Sequence, residues 1–191
     1  MSGDDLYIGP TALAPGPRQP NRHAQRLAEL IVLPLVALLI LVLLVFYVFF
    51  TTAQVDGPSM LPTLHDHDRV LVTHGLRTLQ RGDIVVFYVN EHGQRDELVK
   101  RVVALPGDTV EIRNDAAYVN GVTEPARGQV RSARYSLSEP ALRVPPGQLY
   151  VLGDNRPVSE DSRYIGTVAI SGVKGKVVAI FSPLARIGRV R

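Results

Sequence analysis

The stretch Asp83-Ile-Val-Val-Phe-Tyr-Val89 is a short run of β-branched and aromatic residues, and a similar run, Leu98-Val-Lys-Arg-Val-Val-Ala104, follows it closely. Residues of these types favour extended strands. Further runs bounded by turn residues lie at 69–73, 109–113, 148–152 and 175–181. Residues 117–122 add a hairpin signal, because an Asn-Gly pair readily supplies the positive φ angles of a type I′ turn. The pattern predicts a mostly β fold, with irregular connections over residues 123–146.

N-terminal to this β region lies a long apolar segment. Leu30 to Phe50 runs for 21 residues without a charge, and as a helix it would be about 30 Å long, the thickness of the hydrocarbon core of a bilayer. A cleaved secretory signal would have a shorter apolar region that ends at small residues, whereas this run ends in Phe46-Tyr-Val-Phe-Phe50. We therefore expect a single transmembrane helix over residues 27–50.

The charges around this segment predict its orientation. Arg18, Arg22 and Arg26 precede the span, and the next basic residue is Arg69. Because positive flanks stay on the cytoplasmic side, the N-terminus is expected in the cytoplasm. Residues 1–26, rich in Pro and Gly, are then a flexible cytoplasmic tail, and residues 51–191 form an extracytoplasmic domain of a single-pass plasma-membrane protein.

Composition excludes several classes of site. The 191-residue chain has no cysteine, so it has neither a disulfide framework nor a thiolate metal site. Its net charge is +3, but the basic residues are interleaved with acids, which argues against a nucleic-acid partner. His65-Asp-His67 has i, i+2 spacing and no third histidine nearby, so an exposed loop is favoured over a metal site. We expect no metal and no cofactor.

Ser59 and Lys100 suit catalysis better than packing. A serine hydroxyl is a weak nucleophile near neutral pH, and an amine activates it only when burial lowers the pKa of the amine. Lys100 lies among apolar residues, and because adjacent strand residues face opposite ways, one of Lys100 and Arg101 can point inward while the other stays in solvent. The pair predicts a serine nucleophile with a lysine general base. For each residue alone, a structural surface role would be the simpler interpretation.

Three segments resemble the ordered signature segments of the bacterial type I signal peptidases. They are Gly57-Pro-Ser-Met-Leu-Pro-Thr-Leu64, Lys100-Arg-Val-Val-Ala-Leu-Pro-Gly-Asp108 and Gly153-Asp-Asn-Arg-Pro-Val-Ser-Glu-Asp-Ser-Arg-Tyr-Ile-Gly166. One such motif carries little weight, but three in order behind one membrane segment are specific. The resemblance implies a coiled antiparallel β-sheet domain. It also implies a serine endopeptidase that cleaves signal peptides from exported preproteins.

The resemblance also implies roles for individual residues. Ser59 would be the nucleophile. Lys100 would be the general base and would point inward, which leaves Arg101 in solvent. Ser159 would hydrogen-bond the lysine and orient it, while Asp161 and Arg163 would form an ion pair that braces the site. Relatives of the endoplasmic reticulum type use histidine in place of the lysine, so Lys100 favours a bacterial or organellar enzyme.

The oxyanion hole is less fully specified. Some relatives place a serine two residues before the nucleophile, where this chain has Gly57. Pro58 has no N–H, so the expected donors are the N–H of Ser59 and one further group, the Gly57 backbone or a water. Gly57→Ser should keep activity within about tenfold, provided that Gly57 does not need a glycine-only conformation. The candidate walls of a pocket for small substrate residues are Met60, Leu98 and Val99.

The expected partners are the signal peptides of secreted preproteins, the lipid bilayer and the protein export machinery. Two other functions remain open. A self-cleaving Ser/Lys regulator of the kind found in DNA-damage repressors would need a DNA-binding module, and the first 50 residues offer a membrane helix instead. A catalytically inactive, membrane-tethered β domain that binds peptides would not need both Ser59 and Lys100, and a cleavage assay distinguishes it.

Overall fold

The computed structural model describes residues 22–74, 78–91, 94–125, 129–130 and 138–190. The chain divides into two compact units, Met1–Leu44 and Val45–Arg191. The predicted flexible tail lies outside the described residues as far as residue 21.

A long apolar helix, α1, extends over Arg22–Phe49. Residues 26–49 are long and apolar enough to cross a membrane, judged by length and composition. The described side chains of α1 are exposed in the protein alone. An exposed surface of Leu, Ile, Val and Phe along a whole helix suits lipid as its environment. Phe50, which was expected to end the helix, already begins the first strand.

The second unit is built from short strands. Among the described residues these are, in chain order, β1 (Phe50–Gln54), β2 (Arg69–Thr73), β3 (Ile84–Glu91), β4 (Gln94–Ala104), β5 (Thr109–Arg113), β6 (Ala116–Val119), β7 (Val122–Thr123), β8 (Glu139–Arg143), β9 (Gln148–Leu152), β10 (Val168–Ala169), β11 (Val173–Ser182) and β12 (Gly188–Arg189). A one-turn helix, α2 (Ser162–Ile165), lies between β9 and β10.

The strands form two antiparallel sheets. The larger has the order β1-β2-β11-β3-β4-β9-β10, with β12 paired to β11, and the smaller has the order β7-β6-β5-β8. The hairpin between β6 and β7 turns at Asn120 and Gly121, both with positive φ. This mostly β, antiparallel architecture behind one apolar helix confirms the predicted fold class.

Strand β4 is central to the larger sheet, where it lies between β3 and β9. Its residues from Val99 to Ala104 are all buried, because apolar clusters cover both faces. Val99 packs in a cluster with β1, β2 and β11, whereas Val102 packs with Leu149 and Val151 of β9. Any charged side chain in this part of β4 is therefore removed from water.

Strand prediction was accurate for the β-branched runs and failed elsewhere. Strands β5 and β9 have the predicted limits. Strand β8 was missed, because Glu139-Pro-Ala-Leu-Arg143 lacks β-branched residues and lies in the region expected to be irregular. In the smaller sheet β8 is an edge strand paired to β5. An edge strand tolerates proline, because the backbone groups on its outer side make no hydrogen bonds to another strand.

Candidate active site

Ser59 and Lys100 meet in the structure. Ser59 lies in the turn between β1 and β2, and Lys100 lies on β4. The Lys100 Nζ atom donates a hydrogen bond to the Ser59 Oγ atom at 2.9 Å. Lys100 is 3% exposed, while Ser59 is half-buried. A buried amine thus contacts a hydroxyl that remains open to an approaching peptide.

The setting of Lys100 favours the neutral amine. Burial lowers the pKa of Lys100, and the negative charges of Asp161 and then Glu160 oppose this shift without reversing it. Within the described residues Lys100 makes no ion pair, and Ser59 is its side-chain partner. Because the charged form is desolvated and lacks a carboxylate partner among the described residues, the site favours the neutral form of the Lys100 amine, which is the form that can accept a proton.

Ser159 lies at the site but makes no hydrogen bond there. Its side chain is 3% exposed, and its Oγ atom has no hydrogen-bond partner among the described residues. The expected hydrogen bond from Ser159 to Lys100 is therefore not formed in this structure. Gly153 packs directly on this hydroxyl, and a Cβ at position 153 would clash with the Ser159 side chain and lie 2.6 Å from the Ser59 carbonyl oxygen. Only glycine allows this close approach.

The structure contains the ion pair between Asp161 and Arg163. Arg163 Nε lies 2.8 Å from Asp161 Oδ1, with both side chains at most 2% exposed. Asp161 Oδ2 also accepts from the N–H of Gly153 at 3.0 Å, and Arg163 Nη2 donates to the carbonyl of Arg156 at 2.7 Å. The hydrogen bond and charge of Asp161 hold the pKa of Arg163 above its ordinary value in spite of burial, the largest influence. The pair ties together the loop that carries Ser159.

Arg101 is buried, and the expectation that it stays in solvent is wrong. It is 2% exposed and makes a two-pronged ion pair with Asp154, with Nε to Oδ1 at 2.8 Å and Nη2 to Oδ2 at 2.6 Å. Thr63 also donates to Asp154 Oδ2, at 2.5 Å. The error came from assuming one wet face on a strand that the sheet covers on both faces. Arg101, Asp154 and Thr63 each come from a different signature segment.

Gly57 does not supply the second oxyanion-hole donor. Its N–H already donates to Asp66 Oδ1 at 2.7 Å. Its φ angle is +83°, so the condition attached to Gly57→Ser is not met and serine would be strained at this position. By contrast, the N–H of Ser59 has no acceptor among the residues that the structure describes. Asp66 belongs to an exposed group with Asp56 and His67.

The three candidate pocket residues do not form one wall. Met60 is fully buried and packs in the same core cluster as Val99. Leu98 packs against a different cluster, on the other face of β4, as expected for neighbours on a strand. Met60 therefore offers no surface to a substrate in this structure, and the predicted pocket is wrong in that respect.

The sequence reasoning missed the buried ion pairs behind the site. Besides the pair of Arg101 and Asp154, Arg156 Nη2 lies 2.6 Å from Glu124 Oε1, with both side chains buried. One signal was available, because an arginine inside an apolar strand requires a carboxylate partner. The sequence around Arg101 gave no indication that its carboxylate partner would be Asp154.

Comparison with known proteins decides the family. Residues 27–182 match the family described as signal peptidase, peptidase S26. The chain belongs to this signal peptidase family. The prediction from the three signature segments is thereby confirmed, and membership makes the chain a hydrolase of the signal peptidase I type.

Individual relatives agree with this family. Signal peptidase I of Bacillus caldolyticus is 38% identical over 143 residues, which cover 67% of this chain and 77% of that protein. Signal peptidase IB of Staphylococcus aureus is 37% identical over 154 residues, covering 71% and 79%. A crystal structure of a signal peptidase I from Enterococcus faecalis V583 is 36% identical, covers 52% of this chain and 96% of that chain, and gives a TM-score of 0.43.

Proposed function

We propose that this signal peptidase is a membrane-bound serine endopeptidase that cleaves N-terminal signal peptides from exported preproteins, with Ser59 as nucleophile and Lys100 as general base. The observation that carries the proposal is the 2.9 Å contact between Lys100 Nζ and Ser59 Oγ. The amine is buried and has no carboxylate partner among the described residues. Relatives that are named signal peptidase I supply the substrate class.

The reaction follows from these two groups. Neutral Lys100 takes the Ser59 proton as Oγ attacks the scissile carbonyl carbon, and the resulting ammonium donates that proton to the departing amine as the C–N bond breaks. The mature protein leaves with a new amino terminus, and the signal peptide remains as an ester on Ser59. Water then attacks the ester while Lys100 again accepts a proton, which returns to Ser59 as the signal peptide leaves.

The negative charge that forms on the carbonyl oxygen needs donors that are already in position. We assign the N–H of Ser59 as the first donor, since no acceptor among the described residues occupies it. Water is the candidate for the second, because the N–H of Gly57 is taken by Asp66. The ion pair of Asp161 with Arg163 supports the loop beside Lys100, and neither this pair nor Ser159 enters the bond-making steps.

Membrane attachment is part of the proposal. Residues 27–50 would span the plasma membrane with the tail, residues 1–26, in the cytoplasm and the peptidase domain, residues 51–191, outside. The arginines that precede the apolar helix support this orientation. Ser59 is the ninth residue after Phe50, and nine residues reach at most ~32 Å, so the nucleophile stays near the membrane from which a signal peptide emerges. Preproteins would be delivered by the export machinery.

The function is tested by incubating the purified full-length protein with a labelled preprotein in detergent and sequencing the new N-terminus of the product. We expect one cut after a small residue, and no cut by Ser59→Ala. A wild-type protein that binds the preprotein without cleaving it would support the peptide-binding alternative. Orientation is tested separately with protease added outside spheroplasts, which should digest residues 51–191; protection of that domain would reverse the assignment.

A further inference from the structure

Asn155 contacts the backbone on both sides of Ser59. Its own N–H donates to the Ser59 carbonyl at 3.0 Å, and its side-chain Nδ2 donates to the Pro58 carbonyl at 3.1 Å. These carbonyls belong to the two peptide units that flank the Ser59 Cα atom. A single residue from the third signature segment therefore holds both peptide planes next to Ser59.

The side-chain hydrogen bond acts on the group that the mechanism needs. The Pro58 carbonyl and the Ser59 N–H are parts of one planar trans peptide, so they point in opposite directions. Fixing the carbonyl oxygen fixes the direction of that N–H. A hydrogen bond to the oxygen also polarises the amide and makes the N–H a better donor.

Asn155 can hold this peptide because its own backbone is rigid. Asp154 on one side is fixed by the buried ion pair with Arg101, and Arg156 on the other side is fixed by Glu124. Arg156 Nε also donates to the Gly153 carbonyl at 2.9 Å. Groups that stabilise a transition state are effective when the surrounding structure has positioned them in advance.

We propose that Asn155 is a positioning residue that aims the N–H of Ser59 at the developing oxyanion. The inference rests on the proposed function, since it concerns the same hydrolytic site. Asn155 does not touch the reacting atoms, and it acts through the peptide between Pro58 and Ser59. Its effect is partial, because the N–H of Leu61 also donates to the Pro58 carbonyl, at 3.2 Å.

The first test is Asn155→Ala, which removes the side-chain donor and keeps the backbone N–H to Ser59. Losing a direct oxyanion-hole donor lowers kcat by about 10²–10³-fold, so the loss of its positioning partner should lower the single-turnover acylation rate by about 10- to 100-fold. The preprotein concentration at half-maximal rate should stay within about twofold, since the ground state does not use the oxyanion hole. An unchanged acylation rate would overturn the inference.

A second readout addresses the transition state more directly. A peptide aldehyde that adds to Ser59 places its new oxygen in the oxyanion hole, so its affinity should fall in proportion to the acylation rate in Asn155→Ala. The rise in acylation rate with pH that reports the titration of Lys100 should keep the same apparent pKa. A loss of acylation that leaves the aldehyde affinity unchanged, or that shifts this apparent pKa, would show that Asn155 acts elsewhere.

Matched variants separate positioning from stability. The aspartate in Asn155→Asp has nearly the same shape as asparagine but presents an oxygen to the Pro58 carbonyl. This variant should therefore lose more activity than Asn155→Ala. If the alanine variant fails to fold, the acylation rate of Asn155→Asp decides the question. Asn120→Ala is the control: it loses hydrogen bonds to Thr109 and Asp108 at a hairpin with φ of +53°. It should lower Tm and leave the acylation rate unchanged. If Asn120→Ala slows acylation equally, the effect of Asn155 is structural.

The two proposals fail in distinguishable ways. Full activity in Asn155→Ala, together with no activity in Ser59→Ala, overturns the positioning role and leaves the proposed function intact. A wild-type protein that cleaves no preprotein overturns the proposed function itself.

Discussion

Lys100 and Arg101 are neighbouring cations on the same central strand, and both are at most 3% exposed. Arg101 has a carboxylate partner in Asp154, held by two hydrogen bonds. Lys100 has only the hydroxyl of Ser59 within the described part of the chain. One strand therefore carries a fully compensated charge on one face and an uncompensated amine on the other.

The carboxylate partner distinguishes a structural cation, Arg101, from one that suits chemistry, Lys100. A guanidinium remains charged under all ordinary conditions, so its burial requires a carboxylate. An amine can lose its proton instead, and burial without a carboxylate partner favours that loss. Arg101 thus joins the signature segments, whereas Lys100, as the proposed base, contacts Ser59.

The comparison predicts its largest effect for Lys100→Met. Without a proton acceptor for Ser59, cleavage should fall by about 10⁴-fold or more, as it should for Ser59→Ala, and the two losses should not add because both groups belong to one catalytic unit. The domain should stay folded, since methionine fills the site without burying a polar group. Preprotein cleavage and a thermal melt check this, and near-wild-type cleavage by either variant would remove the pair from the mechanism.

The stability of Lys100→Met should also depend on pH differently from that of the wild-type protein. Burial holds the pKa of Lys100 below its ordinary value of 10.5 in the folded protein. Between the lowered pKa and 10.5 the unfolded chain binds more protons, so the wild-type protein gains stability as pH rises through this interval. The methionine variant lacks this contribution. Denaturant unfolding of both proteins over that interval measures the difference.

Arg101→Met should act mainly on stability, whereas Lys100→Met should act mainly on cleavage. It leaves Asp154 buried without its cation, and breaking a buried ion pair from one side costs about 3–5 kcal/mol. We expect a large drop in the free energy of unfolding, measured by urea titration. Arg113→Met is the control, because Arg113 pairs with Glu111 in the smaller sheet and its side chain is 57% exposed, so its loss should change stability little. Equal stability of both variants would contradict the distinction between the two cations.

Sequence reasoning succeeded where the signal was local. The β-branched runs predicted most strands. The three signature segments singled out Ser59 and Lys100, which are in contact in the structure, and the pairing of Asp161 with Arg163. It failed where the outcome depended on residues distant in sequence. Whether Arg101 faces water depends on a carboxylate that β9 brings to β4. Likewise, the conformation of Gly57 depends on Asp66, nine residues away.

Gly57→Ser should lower stability less than Arg101→Met does. A side chain at φ of +83° is strained, by about 1 kcal/mol, although nothing lies within 4 Å of the added Cβ. Relaxing that strain would shift the peptide before Ser59, so activity should fall as well. Gly121→Ser is the matched control, since its φ is +82° with equal space around it. It should lose similar stability and keep full activity, which kinetic assays and thermal melts would compare. Full activity in Gly57→Ser would contradict the importance of that turn.

The central claim is that Lys100 works as a neutral amine because it is buried with no carboxylate partner in the described part of the chain. The most direct test is the pH dependence of the single-turnover acylation rate, measured with a preprotein that has no titrating group near the cut. The rate should rise with pH through an apparent pKa below the 10.5 of ordinary lysine. A rise that occurs only at pH 10.5 or above would show that the amine is not perturbed and would contradict the account.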